Sequence, residues 1–494
     1  MPATVDRRTS RLAPVHRITR GISRGTTVRI GTVGVAALLA WWAVELFGRP
    51  YVFFDLLIYH GAVAWWAGGG ELYAFIAPDT TLGFTYPPFA ALVMLPMAAL
   101  SAELAGWVNV VASLGALAVV LAALLVPLAE RAGWSRWFTV AMALPLAAAL
   151  EPVRETLGYG QVNLLLFALV MADMVALRWR ARGGARPGRR YASWWARLWF
   201  SGAWAGVGIG LATAIKLTPA LFIVYLVVTR QWRAVTTAVG TALGVTAGAF
   251  LLAGHESASY FGGVLWDTER VGVADMTPNQ SLAGLLARLY DSAETPGLMW
   301  LAFSLLVVAL GLSRASTAHA EGDELTAFTL VGLTANVVSP ISWSHHLVFV
   351  LPAILVLADA ALRRRAASRG LAVRAGRPVG GAAPGAALRT PIWFPALTGL
   401  RHAGAAVLLY LVFLVSPIWP YEHQLSQGVS HYADGAVGVL AENSLALALI
   451  LLVAALPWRP GAEPAFYSEL AARRPGQPLP APRTPDAPVG VTES

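Results

Sequence analysis

The sequence contains no cysteine and little charge, since Asp, Glu, Lys and Arg make up 13% of its 494 residues. Without cysteine, neither a disulfide framework nor a thiolate metal site is available, and the redox compartment cannot be inferred. A soluble protein of this length would need many more charged residues to cover its surface. The scarcity of charge therefore argues against a soluble protein.

Apolar residues are abundant: 57% of the chain is hydrophobic, the mean hydropathy is +0.60, and apolar runs recur along the whole length. This pattern predicts an all-α, polytopic integral membrane protein. We expect about twelve transmembrane helices near residues 30–47, 104–128, 137–150, 160–177, 198–213, 215–229, 233–253, 298–313, 325–340, 345–362, 396–416 and 436–456. The apolar stretch 89–100 is interpreted as a short re-entrant or interfacial segment, because a full span there would place the next arginine-rich loop outside.

Arginines cluster between the apolar runs. The net charge of +9 is therefore better explained by membrane orientation than by nucleic-acid binding. The clusters comprise Arg7, Arg8, Arg11, Arg17, Arg20, Arg24 and Arg29; Arg178, Arg180, Arg182, Arg186, Arg189, Arg190 and Arg197; and Arg363, Arg364, Arg365, Arg369, Arg374 and Arg377. By the positive-inside rule we predict a cytoplasmic tail at 1–29, an arginine-rich cytoplasmic loop at 363–390 and a disordered cytoplasmic tail at 457–494.

The same topology gathers the polar segments on the extracytoplasmic face. They lie in the first outer loop (48–88), in residues 151–163, at Lys216, in the large outer loop (254–297) and in residues 339–346. Irregular polar backbone at membrane depth is tolerated only where it lines a cavity. We therefore predict an extracytoplasmic active site on a helical bundle in the cell membrane.

Asp55 follows the first apolar run, with Tyr59 and His60 shortly after it. A carboxylate at the membrane interface suits a general base that meets a lipid-borne substrate. The alternative is that Asp55 caps the helix that follows it.

Lys216 is the only lysine, and every other cationic side chain is arginine. A compact ammonium suits a phosphate, whereas the alternative is that Lys216 extends to the lipid headgroups. His345 and His346 begin a helix on the same face, where they either hold an anion or serve a structural role. A metal site is not favoured, because adjacent histidines point to different helix faces.

Two other segments carry amide and basic side chains. Arg154, Glu155, Gln161 and Asn163 either bind sugar hydroxyls or make hydrogen bonds between helices. Asn279 and Gln280 precede an amphipathic stretch that either covers the cavity as a lid or lies at the interface. Trp343 is placed where a sugar face or a prenyl chain would pack.

Six motifs in order resemble glycosyltransferase family 87, whose members are actinobacterial polyprenyl-phosphate-mannose-dependent α-1,2-mannosyltransferases of the GT-C superfamily. The motifs are D-L-L-I-Y at 55–59, T-Y-P-P at 85–88, G-Q-V-N-L-L at 160–165, A-I-K-L-T-P at 214–219, N-Q-S-L at 279–282 and S-P-I-S-W-S-H-H at 339–346. The similarity extends over residues 30–456 and leaves out the basic tail, the arginine-rich loop and the Pro-rich end.

The resemblance implies that Asp55 is the general base and that Lys216, His345 and His346 hold the donor phosphate. An acceptor 2-hydroxyl would displace polyprenyl phosphate with inversion and give an α-linkage. A lipid phosphate donor also fits the absence of an Asp-x-Asp pair, so the expected cofactors are none and no metal is required. The expected acceptor is a phosphatidylinositol mannoside, lipomannan or lipoarabinomannan.

Two alternatives remain at this point. A related enzyme that transfers arabinofuranose from a polyprenyl-phosphate sugar would share the architecture. A twelve-helix transporter or flippase would also place ionisable residues in a bundle, but it would usually show two repeated halves. The second half of the sequence has no counterpart of the Asp55 motif.

Overall fold

Helices form nearly all of the regular structure in a computed structural model that describes residues 24–49, 51–181, 193–290, 295–375, 399–421 and 435–459. Those ranges contain no β-strand, only isolated bridges that pair Ile76 with Gly83 and Asn279 with Trp343. The predicted all-α class is confirmed. The helices of seven or more residues are α1 (Arg24–Phe47), α2 (Phe54–Ala67), α3 (Pro88–Met94), α4 (Ala102–Ala132), α5 (Arg136–Ala148), α6 (Glu151–Tyr159), α7 (Asn163–Ala181), α8 (Trp194–Ser201), α9 (Val207–Ile215), α10 (Ala220–Val228), α11 (Trp232–Leu252), α12 (Gly254–Gly262), α13 (Leu282–Leu289), α14 (Gly297–Ala320), α15 (Glu324–Val338), α16 (Val350–Ala375), α17 (Leu400–Val415), α18 (Gly435–Glu442) and α19 (Ser444–Ala455).

Long apolar helices identify a multi-pass membrane protein. In the described residues, five helices have the length and composition to cross a membrane: α1, α4, α11, α14 and the segment Leu400–Pro420 that contains α17. A sixth span results if α18 and α19, which meet at a bend of 70°, are counted as one. The predicted total of about twelve is not confirmed by these criteria.

Three predicted spans are broken or short. The stretch 198–213 is divided between α8 and α9, with turns at 202–206. Gly206 ends this break with a φ of 109°, and a Cβ there would come within 2.4 Å of the Ala234 carbonyl oxygen of α11. The stretch 215–229 contains only α10, and 345–362 begins with the 3-10 turn Ser344–His346 before α16. Apolar composition alone does not reveal such breaks, because a broken helix and a continuous one share it.

The segment 89–100 contains α3 and a 3-10 turn at Leu95–Ala99. Together they form an apolar helical stretch of Pro88–Ala99. Twelve helical residues reach about 18 Å, less than the roughly 30 Å of a bilayer core. This segment is therefore too short to span by itself, and it packs against α2, α9 and α11.

The α15 helix occupies the centre of the bundle. All of its residues from Glu324 to Val337 are buried, and it packs against α7, α10, α14, α16 and α19. Phe222 of α10 contacts Phe328 of α15, with 5.3 Å between ring centroids. Since α15 ends at Val338, the residues 339–346 emerge in the middle of one end of the bundle.

The described chain termini depart from the predicted tails. Helix α1 begins at Arg24, so residues 24–29 are helical, and residues 1–23 lie outside the described residues. At the other end Arg459 is buried against the bundle, and residues 460–494 lie outside the described residues. The predicted arginine-rich loop is helical up to Ala375, and an ion pair of 2.9 Å between Arg363 and Asp359, one turn apart, supports that helix.

Candidate active site

A cavity of about 1050 Å³ opens at the end of the bundle where α15 ends. It is lined by α2, the segment 79–87, α6, residues 216–218, the large loop between α12 and α13, and residues 339–346. Seven of the twelve predicted site residues line this cavity: Asp55, Tyr59, Gln161, Lys216, Trp343, His345 and His346. Segments distant in the sequence thus converge on one site.

Asp55 lies in the first turn of α2, which begins at Phe54. The N-cap is Phe53, in the left-handed conformation (φ 56°), and no side chain caps the helix. The capping role considered for Asp55 is therefore wrong. A left-handed bulky residue is strained and needs support from its surroundings. That support includes a hydrogen bond of 3.0 Å from the Phe53 amide to the Gly158 carbonyl.

Two glycines bring α6 close to this strained turn. A Cβ on Gly158 would lie 2.2 Å from the Tyr51 ring, and a Cβ on Gly160 would lie 2.5 Å from the Leu56 Cβ. Gly160 also has a φ of 72°, which ends α6 in the left-handed conformation. Because neither position has room for a side chain, the residue after Gly160, Gln161, reaches Asp55.

Gln161 fixes Asp55 through a closed ring of hydrogen bonds. Its Nε2 donates to Asp55 Oδ2 at 2.7 Å and to the Tyr59 hydroxyl at 2.9 Å. The Tyr59 hydroxyl donates to Tyr86 at 3.3 Å, and Tyr86 returns a bond of 2.9 Å to Gln161 Oε1. Both amide protons of Gln161 and both hydroxyl protons are used, so the ring fixes the orientation of the amide.

Asp55 is half-buried, and the described residues give it no cation within ion-pair distance. Burial raises its pKa to about 6, although the Gln161 hydrogen bond and the positive charge of Lys216 act in the opposite direction. Asp55 lies outside the helices that qualify as membrane spans. A carboxylate with this pKa is ionised at neutral pH and is more basic than an ordinary aspartate, as a general base requires.

Lys216 stands where α9 ends, at the break before α10. Its Nζ lies 3.3 Å from Asn163 Oδ1 and 2.9 Å from His346 Nε2. Burial lowers its pKa to about 7, with Asp55 acting in the opposite direction. Asn163 follows Gln161 by two residues, so one short connector holds both Asp55 and Lys216.

The contact between Lys216 and His346 prepares an anion site. The Trp343 amide donates to His346 Nδ1 at 3.1 Å, so a neutral imidazole carries its proton on Nε2, facing Lys216. Without a ligand this contact requires a neutral Lys216, in agreement with its lowered pKa. An oxyanion between the two groups would accept hydrogen bonds from both and would favour the ammonium form of Lys216.

The other predicted residues support the cavity from outside its lining. Arg154 is buried in an ion pair of 2.7 Å with Glu151, and His60 Nε2 contacts the Leu100 carbonyl oxygen at 2.9 Å. Asn279 accepts the Ser342 amide at 2.9 Å, and Gln280 donates to the Glu442 carbonyl at 2.7 Å. The Asn279 amide holds the loop 339–346 in place, because it also donates to the Pro340 carbonyl at 3.2 Å, whereas the Gln280 amide links its own loop to the end of α18.

The predicted lid is also a structural element. Helix α13 is buried from Leu282 to Arg288 and packs against α14 and α15. Its N-cap Ser281 accepts the Gly284 amide at 3.1 Å. The interpretation of this stretch as a cover over the cavity is therefore wrong. The part of the large loop that does line the cavity is 264–278, including Asp267 and Arg270.

Sequence reasoning missed several cavity residues, chiefly Arg49, Tyr86 and Tyr159, whereas it did name Glu155. Arg49 resembled any basic residue after a membrane span. Tyr86 could have been identified from the sequence, because it lies in the T-Y-P-P motif. Its hydroxyl is part of the ring of hydrogen bonds around Gln161. The described residues contain no group of three or more His, Asp or Glu side chains placed to hold a metal ion. That no metal is required stays a prediction.

Comparison with known proteins gives consistent matches. The model of glycosyltransferase family 87 matches residues 84–340. A polyprenol-phosphate-mannose-dependent alpha-(1-2)-phosphatidylinositol mannoside mannosyltransferase of Mycobacterium tuberculosis is 32% identical over 401 residues, 77% of this chain and 88% of that protein. The protein of the same description from Mycolicibacterium smegmatis is 31% identical over 370 residues, 70% and 79% of the two chains.

A second group of relatives differs in the acceptor named. A phosphatidylinositol pentamannoside mannosyltransferase from Mycobacterium tuberculosis is 32% identical over 376 residues, 74% of this chain and 80% of that protein.

Among solved structures, ArnT from Cupriavidus metallidurans in the apo state is similar at a TM-score of 0.35 and 17% identity, over 87% of this chain and 77% of the other. That likeness is too distant to support a conclusion.

Proposed function

Since the chain belongs to glycosyltransferase family 87, we propose that it transfers mannose from polyprenyl-phosphate-mannose to a 2-hydroxyl of a mannosylated lipid or lipoglycan. The product would be an α-1,2 linkage, formed with inversion. The relatives are described as polyprenol-phosphate-mannose-dependent enzymes that act on phosphatidylinositol mannosides, which supports this donor and this class of acceptor. Membership in a glycosyltransferase family also argues against the transporter alternative.

The observation that carries the proposal is the connector 161–163. Gln161 binds the carboxylate of Asp55 and Asn163 binds the amino group of Lys216, so a base and a group that becomes cationic beside an anion face one cavity at a fixed separation. Displacement at a glycosyl phosphate needs a base near the attacking hydroxyl and a cation near the departing phosphate. The arrangement provides both without a further group.

The chemical step is a single displacement. The acceptor oxygen forms a bond to the anomeric carbon as its proton passes to Asp55, and the bond from that carbon to the phosphate oxygen breaks. Polyprenyl phosphate leaves with the electron pair, and Lys216 and His346 bind the added negative charge. The ring through Tyr59 and Tyr86 keeps the carboxylate in one orientation throughout.

We place the site on the extracytoplasmic side of the cell membrane. Helix α7 begins at Asn163 beside Lys216 and ends with Arg178 and Arg180 in its last turn. Helix α16 begins just after His346 and carries Arg363 further along. The arginines therefore lie at the end of these helices away from the cavity, and the positive-inside rule assigns that end to the cytoplasm.

The test compares donors on the purified protein in lipid nanodiscs with a phosphatidylinositol mannoside acceptor. We expect transfer of radiolabel from polyprenyl-phosphate-mannose and none from GDP-mannose or a polyprenyl-phosphate arabinose. An α-1,2-specific mannosidase should remove the label from the product. Transfer from the nucleotide sugar or from the arabinose donor would contradict the proposal. If only lipomannan or lipoarabinomannan accepts mannose, the acceptor is corrected and the reaction stands.

A further inference from the structure

A second polar group lines the cavity next to Asp55 and has no role in the step described above. It consists of Arg49, Tyr159, Glu155 and His345, which all line the cavity. Arg49 Nη2 donates to the Tyr159 hydroxyl at 2.6 Å and to Glu155 Oε2 at 3.3 Å. The guanidinium carbon of Arg49 lies 3.3 Å from the centre of the Trp419 ring. Stacking and hydrogen bonds thus fix this arginine before any ligand arrives.

Two atoms of this group are buried without a partner. Arg49 Nε and His345 Nε2 have no hydrogen bond among the described residues. His345 is only 5% exposed, and its ring stands edge to face with Tyr159 at 5.7 Å between centroids. Buried polar atoms are rarely left unpaired, so this wall has hydrogen-bonding capacity that the described residues do not use.

Charge distinguishes this group from Lys216. Arg49 is neutralised by Glu155, whose other oxygen accepts the Tyr51 hydroxyl at 2.7 Å. Lys216, by contrast, forms no ion pair with a carboxylate of the described residues. A phosphate binds best where positive charge is uncompensated. A charge-balanced set of donors and acceptors instead matches the adjacent hydroxyls of a neutral sugar.

The group is also close to the base. Tyr51, four residues before Asp55, donates to Glu155 at 2.7 Å, and the Phe53 amide donates to the carbonyl of Gly158, the residue before Tyr159, at 3.0 Å. A sugar held by Arg49 and Tyr159 would therefore lie on the Asp55 side of the cavity. On the other side, His345 adjoins His346, with 4.6 Å between ring centroids, and His346 contacts Lys216. The wall thus leads from the sugar group to the phosphate site.

We propose that Arg49, Glu155, Tyr159 and His345 form the subsite that binds the acceptor mannose. Arg49, Tyr159 and His345 hydrogen-bond its hydroxyls, and the fully buried Glu155 holds Arg49 in place. His345 thereby serves the acceptor, whereas the sequence assigned it to the donor phosphate. This inference rests on the proposed function and adds which wall of the cavity recognises which substrate.

The test separates the Michaelis constants of the two substrates. In Arg49→Lys, Tyr159→Phe and His345→Phe, the KM for the acceptor should rise roughly tenfold, about what one or two buried hydrogen bonds provide. The KM for the donor should stay within about twofold. His345→Gln, which restores an amide donor, should recover much of the acceptor affinity lost in His345→Phe. Rescue of this kind would not follow from a role in packing alone.

Tyr410→Phe is the matched control. It removes a hydroxyl that lies away from the cavity and donates a hydrogen bond of 3.1 Å to the Leu146 carbonyl. It should change neither KM. A rise in the donor KM in the Arg49 or His345 variants would overturn the assignment, and so would an unchanged acceptor KM. Failure of the wild type to transfer mannose would instead refute the proposed function.

A binding measurement tests variants that fold but show no measurable mannose transfer. Binding of methyl α-mannoside to the purified protein, followed by saturation-transfer NMR, should weaken in Arg49→Lys and persist in Tyr410→Phe. Equal binding by both variants would contradict the proposed subsite. The thermal unfolding midpoint of each variant in detergent identifies any that fail to fold.

Discussion

The two ends of the bundle use the same kinds of charged residues in opposite ways. Away from the cavity, Arg459 donates to Asp323 at 2.6 Å and to Asp359 at 2.7 Å. Asp359 also pairs with Arg363 and Arg131. At the cavity end, Asp55 and Lys216 have no oppositely charged partner within ion-pair distance among the described residues.

The difference separates structural charges from functional ones. Saturated ion pairs hold helices together, since removal of one partner leaves a buried charge uncompensated. Ionisable groups without such a partner gain one from the substrate. Substitutions in the Arg459 cluster should therefore change stability, and substitutions of Asp55 or Lys216 should change kinetics.

Arg459→Met should have the largest effect on stability. It leaves Asp323 and Asp359 short of a buried cation, and we expect a loss of about 3 to 5 kcal/mol in unfolding free energy. The correctly folded fraction should keep its kcat. The control is Arg136→Met, which breaks the exposed pair of 2.8 Å with Glu130 and should cost less than about 1 kcal/mol. Equal thermal midpoints for the two variants would refute this division.

Lys216→Gln should have a large kinetic effect with little effect on folding. Loss of the ammonium removes the charge that meets the leaving phosphate, so kcat/KM for the donor should fall by roughly 10²- to 10³-fold. Steady-state transfer at varied donor concentration measures this. A variant that keeps donor kcat/KM within threefold of the wild type would show that the phosphate binds elsewhere.

The pH dependence should report the two unpaired charges. Asp55 must be deprotonated to act, and its pKa is raised to about 6, so kcat/KM should fall roughly tenfold per unit below pH 6. Lys216 must be protonated, and its pKa is lowered to about 7, so kcat/KM should fall again above pH 7. Because Asp55 and Lys216 interact, the apparent pKa of each limb belongs to the pair and not to one residue. In Lys216→Gln the fall above pH 7 should disappear and the fall below pH 6 should remain. A wild-type kcat/KM that stays flat from pH 5 to 7 would exclude Asp55 as the base.

Tyr86→Phe should have the smallest effect. It removes the hydrogen bond to Gln161 Oε1 and leaves the Tyr59 hydroxyl without its acceptor. A loss of about 1 kcal/mol in transition-state stabilisation, or severalfold in kcat, is expected from one buried hydrogen bond. Tyr410→Phe again serves as the control. A kcat equal to that of the wild type would mean that the ring does not orient Asp55.

The sequence predicted the polar residues of the site better than the helices that carry them. Asp55, Gln161, Lys216 and the two histidines are isolated polar residues among apolar runs, and such residues are costly in a membrane unless they have a function. The break between α8 and α9 could not be predicted, because it depends on the close approach of α11 to Gly206. Composition does not contain that tertiary contact.

The sequence also does not predict the roles of the amide side chains. Gln161 and Gln280 are both buried glutamines in polar motifs, yet one binds a carboxylate in the cavity and the other binds main-chain groups. The same amide chemistry serves both purposes. Only the positions of the neighbouring segments decide between them, as they also do for Arg49 and Glu155.

The most direct test of the central claim is the single-turnover rate of mannose transfer by Asp55→Asn at saturating donor and acceptor. Asparagine keeps the size of the side chain but cannot take a proton, so the rate should fall by about 10²- to 10⁴-fold while donor binding and the thermal midpoint stay close to those of the wild type. A rate within threefold of the wild type, with donor bound, would contradict the assignment of Asp55 as the general base.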